Sequence, residues 1–184
     1  MKKQIIIIPI LTIVAIIAGV STIPMPIESD GTITQISSSI VDWTDEELID
    51  NSPWIVKGEI VKSKAVKEYR GKMPIVFTIW DVKITESLKG DIQIGSTIQI
   101  KNVGGQIEDN TTISGNFADK HETDKLILFL DRETDPDSFQ GTDTYHLVTQ
   151  NFGVYEITNG IAVHDNPAKT TLEDNLKNKI KLQG

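Results

Sequence analysis

His121 with Glu122, His146, and His164 with Asp165 are the side chains of this chain best suited to chemistry, since imidazole and carboxylate together can hold a metal ion or relay a proton. A hydrolytic metal site gathers about three nitrogen or oxygen ligands around one ion, commonly through a local pair such as His-x-x-x-His. No such spacing occurs here. A metal-dependent hydrolase would need His121, His146 and His164 brought together from separate parts of the fold, whereas a histidine in a polar loop is otherwise simply solvated. Serine chemistry has no better signature: no Gly-x-Ser-x-Gly is present, and Ile113-Ser114-Gly115 lacks the preceding glycine at the required distance. With no cysteine anywhere, thiol catalysis, thiolate metal sites and redox exchange are excluded. The expectation is therefore a protein without a catalytic constellation or a bound cofactor.

Two acidic loops offer a different chemistry. Asp131, Asp135, Asp137 and Asp143 crowd a stretch that contains Gly141, and calcium outside a cell takes such hard oxygen ligands. The spacing departs from the EF-hand, because the sixth position counted from Asp135 is Gln140 rather than glycine. Asp135, Asp137 and Asp143 are thus the calcium candidates, with Glu108, Asp109 and Asp119 able to add ligands only if the two loops meet. Hydrated acidic loops without an ion are the commoner case. Asn110-Thr111-Thr112 forms a glycosylation sequon. Tyr69, Arg70 and Lys72 share one loop and could touch a partner, although a mixed charged loop is ordinarily solvent-facing. Trp43, Trp54 and Trp80 read as packing residues rather than as a sugar-stacking platform.

The elements that must position these residues are mostly strands. Thr44 and Glu47 have capping-box spacing ahead of a short helix at about 45–51, which Pro53 halts. Trp54, Val56, Gly58 and Ile60 alternate with Lys57 and Glu59, so 54–62 reads as a strand. Residues 69–74 read as a loop. A long strand at 75–86 follows, with Val76, Thr78, Trp80, Val82 and Ile84 inward. Leu88-Lys89-Gly90-Asp91 reads as a turn, and 97–103 as a strand with Ile98 and Ile100 inward and Gln99 and Lys101 outward. Residues 106–123 lack a pattern and read as a long exposed loop. The run Leu126-Ile127-Leu128-Phe129-Leu130 predicts a central strand. Two more strands, 145–150 and 153–158, precede Asn159-Gly160, a hairpin turn signal because both positions of such a turn take φ > 0. The chain closes with a predicted helix at 172–181, capped by Thr170 and Glu173, with Leu172, Leu176 and Ile180 as its apolar stripe. Six or seven short strands with two peripheral helices point to a small closed barrel in preference to a sandwich.

Ahead of this domain, residues 5–23 carry no charge and follow Lys2 and Lys3. As a helix they would reach roughly 28 Å, close to the hydrocarbon thickness of a bilayer. Basic residues on one flank and Glu28 and Asp30 on the other place the N-terminus in the cytoplasm and the rest outside. Ala18-Gly19-Val20 and Gly19-Val20-Ser21 are poor cleavage sites, so a single-pass anchor is favoured over a removed signal, which would leave the protein secreted. Three parts follow: an anchor or signal segment at 1–27, a linker at 28–40 within a stretch, Ser21 to Ser39, that is rich in Ser, Thr, Pro and Gly, and a domain at 41–184. From residue 28 onward the chain holds 16 basic and 26 acidic residues, a formal charge of −10, which opposes binding to nucleic acid and anionic lipid. A domain of this size can bury a core without disulfides.

Gly58-Glu59-Ile60-Val61, the run Trp80 to Gly90, Ile98-Gln99-Ile100 with Gly104-Gly105, Lys125 to Leu130 and Gly153-Val154-Tyr155 follow one another in an order that resembles a family of uncharacterised exported prokaryotic proteins. The match runs from about Glu46 to Ile157. The resemblance implies an oligonucleotide/oligosaccharide-binding (OB) barrel similar to the netrin-like and metalloproteinase-inhibitor superfamily. Animal members of that superfamily chelate a protease metal through an N-terminal cysteine. This chain has none, so that activity is not implied. The overall expectation is a mainly β, OB-like barrel with a short N-terminal helix and a C-terminal helix, preceded by a membrane segment. Its function is expected to be binding of an extracytoplasmic protein or ligand, with no nucleic acid partner and with the membrane engaged through residues 5–23. A structural envelope protein and the metal-dependent hydrolase are the competing expectations.

Overall fold

In a computed structural model of the chain, residues 43–107, 112–113, 124–132, 144–149 and 153–183 are described. The membrane segment and linker, together with Asn110, His121, Asp135, Asp137 and Asp143, lie outside those residues. Among the described residues no helix is long and apolar enough to cross a membrane.

The first helix, α1 (Asp45–Asp50), starts where its sequence says it should. Glu47 N donates to Thr44 Oγ1 at 3.2 Å, and Thr44 N donates back to the Glu47 carboxylate at 2.7 Å, so two backbone donors that the helix leaves unpaired are satisfied. Leu48 and Ile49 are its buried face. Ten strands follow: β1 (Trp54–Arg70), β2 (Met73–Lys89), β3 (Thr97–Val103), β4 (Gly105–Gln106), β5 (Thr112–Ile113), β6 (Lys125–Arg132), β7 (Tyr145–Leu147), β8 (Val154–Thr158), β9 (Ile161–Val163) and β10 (Thr171–Leu172). Between β9 and β10 lies a 3-10 turn, Pro167–Lys169, and α2 (Glu173–Gln183) ends the chain.

Eight strands form one sheet in the order β1-β2-β3-β7-β6-β8-β9-β10, and β1 also pairs with β6, from Trp54 opposite Leu130 to Glu59 opposite Lys125. The sheet is thereby ring-like. Its weakest join is the parallel contact of β3 with β7, where Ile100 faces Tyr145. A buried side chain reinforces it: Asn102 Oδ1 accepts from Leu147 N at 3.2 Å. Inside the ring Val56, Ile60, Trp80, Val82, Ile100, Leu126, Leu128 and Leu130 form one core, with Trp54, Ile98 and Tyr145 packed against it. On the outer face Ile55, Ile127, Phe129, Tyr155 and Ala162 meet Leu48 and Ile49 of α1 and Leu176 and Ile180 of α2 in a second core. Strand alternation produces both at once, since successive residues of β1 and β6 face opposite sides. A hydrophobic run on β6 is thus explained by burial on both faces.

Several expectations change. The segment 69–74 is not a loop: β1 and β2 pair to Arg70 opposite Met73, leaving only Gly71 and Lys72 in the turn. Residues 106–123 include the short strand β5, paired with β4. Helix α2 begins at Glu173, because Thr171 and Leu172 pair with Ala162 and Ile161 as strand. Thr170 consequently does not cap it; its Oγ1 accepts from His164 N instead. Leu172 then falls outside the helical stripe and is 57% exposed. Lys101 points outward as expected yet is buried, because Glu68 on the neighbouring hairpin accepts from its Nζ at 2.8 and 2.9 Å and the Phe77 ring lies 4.3 Å beneath it. The Asn159-Gly160 turn forms as predicted, both residues at positive φ (52° and 78°), joining β8 to β9.

Candidate functional site

Two of the three histidines are described, and they serve different elements. His146 stands on β7 opposite Asp131 of β6. Close by, Trp54 meets Tyr145 edge to face at 5.6 Å, Trp54 Nε1 donates to Asp91 Oδ1 at 3.0 Å, and the Arg132 guanidinium lies 5.5 Å from the centre of the Tyr145 ring. These groups close one end of the ring interior. His164 is buried at the end of β9, where its ring leans on Tyr155 with centroids 4.6 Å apart. Its Nδ1 accepts from Asn166 N at 2.9 Å, which puts the proton of the neutral ring on Nε2. His164 therefore shapes the connection that carries the 3-10 turn. Among the described residues no group of three or more His, Asp or Glu side chains is arranged to hold a metal ion. Trp80 is fully buried in the inner core, and Trp54 and Trp43 pack against the two cores.

One recess well supplied with polar groups is not revealed by the spacing of residues. It is an open cleft of about 380 Å³ between the start of α1, the 3-10 turn, β10 and the second half of α2. Thr44, Asp45, Glu46, Lys169, Thr171 and Lys179 are among its walls. At its edge Tyr155 donates its hydroxyl to Asp45 Oδ1 at 2.6 Å, and Lys179 bridges Asp45 Oδ2 at 3.1 Å and Glu46 Oε1 at 2.7 Å. Burial alone would lower the pKa of Lys179, but the hydrogen bonds and charges of Glu46 and Asp45 outweigh it and hold the ammonium above the usual lysine value. The same Lys179 hydrogen bond is the main cause that lowers Glu46 below the ordinary carboxylate value. Lys169 donates its ammonium to the Trp43 carbonyl oxygen, which fastens the residue ahead of the α1 cap to this corner. The charges in the cleft largely satisfy one another. The arrangement can hydrogen-bond a polar group, and it holds α1, α2 and the β9–β10 connection together.

On the sequence, Asp45 and Lys179 are separated by most of the domain, and each reads as an exposed position on its own helix. Only the packing of α1 beside α2 joins them. Tyr155 likewise reads as a core residue, and its hydroxyl partner is set by the tertiary fold.

Comparison of the chain with protein-family models and with curated proteins gives no match.

Proposed function

We propose that this chain is an extracytoplasmic binding module on an OB-like barrel, held at a membrane by residues 5–23 or secreted if that segment is removed. The observation that carries the reading is the order of the ring: β1-β2-β3-β7-β6 and back to β1. Numbered among themselves, these five strands run 1-2-3-5-4-1 with one parallel join, β3 to β7. Such an order with one parallel join is what an OB barrel would have, which supports the reading, since that scaffold binds ligands through its strand face and connecting loops. Fold alone does not assign activity, and the ligand is a matter for the surface. The attachment of the chain supports the same picture. Trp43, a few residues beyond the expected linker, is fastened beside α1 by Lys169, which supports a domain with an anchored N-terminal edge.

The test is affinity purification of the tagged full-length chain, solubilised from its own membranes, with identification of what remains bound. Retention of a specific extracytoplasmic partner at defined stoichiometry is expected. Recovery of the chain alone, or in the cytosolic fraction, would contradict the reading.

A further inference from the structure

We propose that His164 is an acid-operated latch on the corner where α1, α2 and the β9–β10 connection meet. The inference stands apart from the binding-module reading, since it concerns how this corner opens whatever the domain binds. His164 follows β9 directly and is only 4% exposed. Its Nδ1 accepts from the backbone N–H of Asn166 at 2.9 Å. A backbone N–H can only donate, so in this arrangement Nδ1 must carry no proton.

That single bond sits at the start of a chain of others. Asn166, held by the imidazole, caps the 3-10 turn through its own side chain, whose Oδ1 accepts from Ala168 N at 3.0 Å. Its carbonyl oxygen accepts from Lys169 N at 3.0 Å. His164 N in turn donates to Thr170 Oγ1 at 3.2 Å, closing the connection on itself. Lys169, carried on this turn, fastens Trp43, and Ala168, Lys169 and Thr170 form one wall of the cleft. Position of the cleft wall and of the N-terminal edge thus depends on a neutral imidazole.

Adding a proton to the ring places it on Nδ1, where it faces the Asn166 N–H. Two donors then oppose each other, and the bond is lost. The imidazolium is also a charge in a buried place, which is costly unless it is paired. From β8, Tyr155 lies against the ring with centroids 4.6 Å apart, and its hydroxyl is given to Asp45 of α1. The other oxygen of Asp45 is held by Lys179 of α2, which also pairs with Glu46. On the connection itself stand Lys169, committed to Trp43, and Asp165, which is exposed. Asp45, the carboxylate joined to the ring through Tyr155, therefore has both oxygens engaged.

Two states of the corner follow. In the closed state His164 is neutral, Asn166 is held and the 3-10 turn is capped. In the open state the connection releases, and the ring reaches water, where histidine takes a proton near pH 6.5. Because the open state binds a proton that the closed state refuses, the closed state is fully favoured above about pH 6.5 and loses ground as pH falls below it. One unit below, at about pH 5.5, the opening equilibrium should rise roughly tenfold. The latch is thus set between neutral and mildly acid surroundings, a range in which ordinary carboxylates stay charged.

The experiment follows amide hydrogen exchange of the full-length chain in zwitterionic nanodiscs at pH 7.5 and 5.5, corrected for the ordinary pH dependence of exchange. Protection over residues 164–172 should fall roughly tenfold at the lower pH, while that of β6 holds. His164→Asn, whose amide oxygen can accept from Asn166 N without titrating, should abolish the pH dependence. His146→Asn should leave it intact. Unchanged protection over 164–172 in the wild-type chain overturns the proposal without recourse to any variant. So does an equal loss in His164→Asn, or a pH dependence that disappears in His146→Asn instead.

Discussion

At Leu128 the side chain is fully buried in the inner core while Ile127 and Phe129, its neighbours, are fully buried in the outer one. A leucine in such a place has no route to relax, and Leu128→Ala should cost about 2 to 5 kcal/mol. Chemical denaturation of the two proteins measures it; a loss below about 1 kcal/mol would mean that β6 is not the strand shared by both cores. The apolar run made this residue legible in advance, because periodicity needs no partner to be read. Thr44 and Glu47 were legible for a related reason: a capping box is complete within four residues. Lys101 and Thr170 were not. Each reads as an exposed or capping residue until Glu68 or His164, supplied by another element, claims its polar atoms. Gly90 sits between these cases. Its place in a turn was readable, but the reason that no side chain fits is tertiary: at φ +83° a Cβ would overlap Trp54 and lie 2.8 Å from the Pro53 carbonyl oxygen.

Among elements, α2 shows how charge holds a helix to a sheet. Lys57 of β1 donates to Glu173, and Lys177 bonds the Glu86 carboxylate of β2 at 2.6 Å and lies 3.5 Å from Glu173. Burial would raise the pKa of Glu173, but the hydrogen bond and charge of Lys57 and the charge of Lys177 outweigh it and lower the value below the ordinary 4.5. Lys177 is raised above its ordinary 10.5: burial pulls it down, and Glu86 and Glu173 more than reverse this. A carboxylate with a lowered folded-state pKa contributes stability that is complete above its unfolded value and lost as pH falls through the folded one. Melting temperature should therefore drop as pH falls below about 4.5, and Glu173→Gln should shrink that acid dependence while lowering stability at neutral pH. Thermal melts of both proteins across pH decide it; identical acid limbs would show that the clamp carries no linkage. The lysine side of the clamp predicts the mirror effect, a loss only above about pH 10.5. Strand and helix positions in this region were readable from alternation and spacing. Their ends were not, since the length of β1 depends on pairing with β2 after the hydrophobic alternation fades at Lys62, and the start of α2 depends on β9 recruiting Thr171 and Leu172.

For the whole molecule, one ring with two cores is built without a single cysteine, so packing rather than disulfides holds the fold, as the proposed place outside a cell would require. The mainly β class was legible from turn signals and alternating runs, whereas the closure of β1 on β6 and the parallel join of β3 with β7 are relations between distant segments that no local pattern encodes. The cleft shares that property. Its residues were visible as charges, and only the packing of α1 beside α2 brings them together. The absence of native cysteine makes location directly measurable. Asn175, exposed on α2, is changed to cysteine, and intact cells are treated with a membrane-impermeant maleimide before and after lysis. Labelling of intact cells to the same extent as lysed ones is the predicted result. Labelling that appears only after lysis would place the domain in the cytosol and contradict the account.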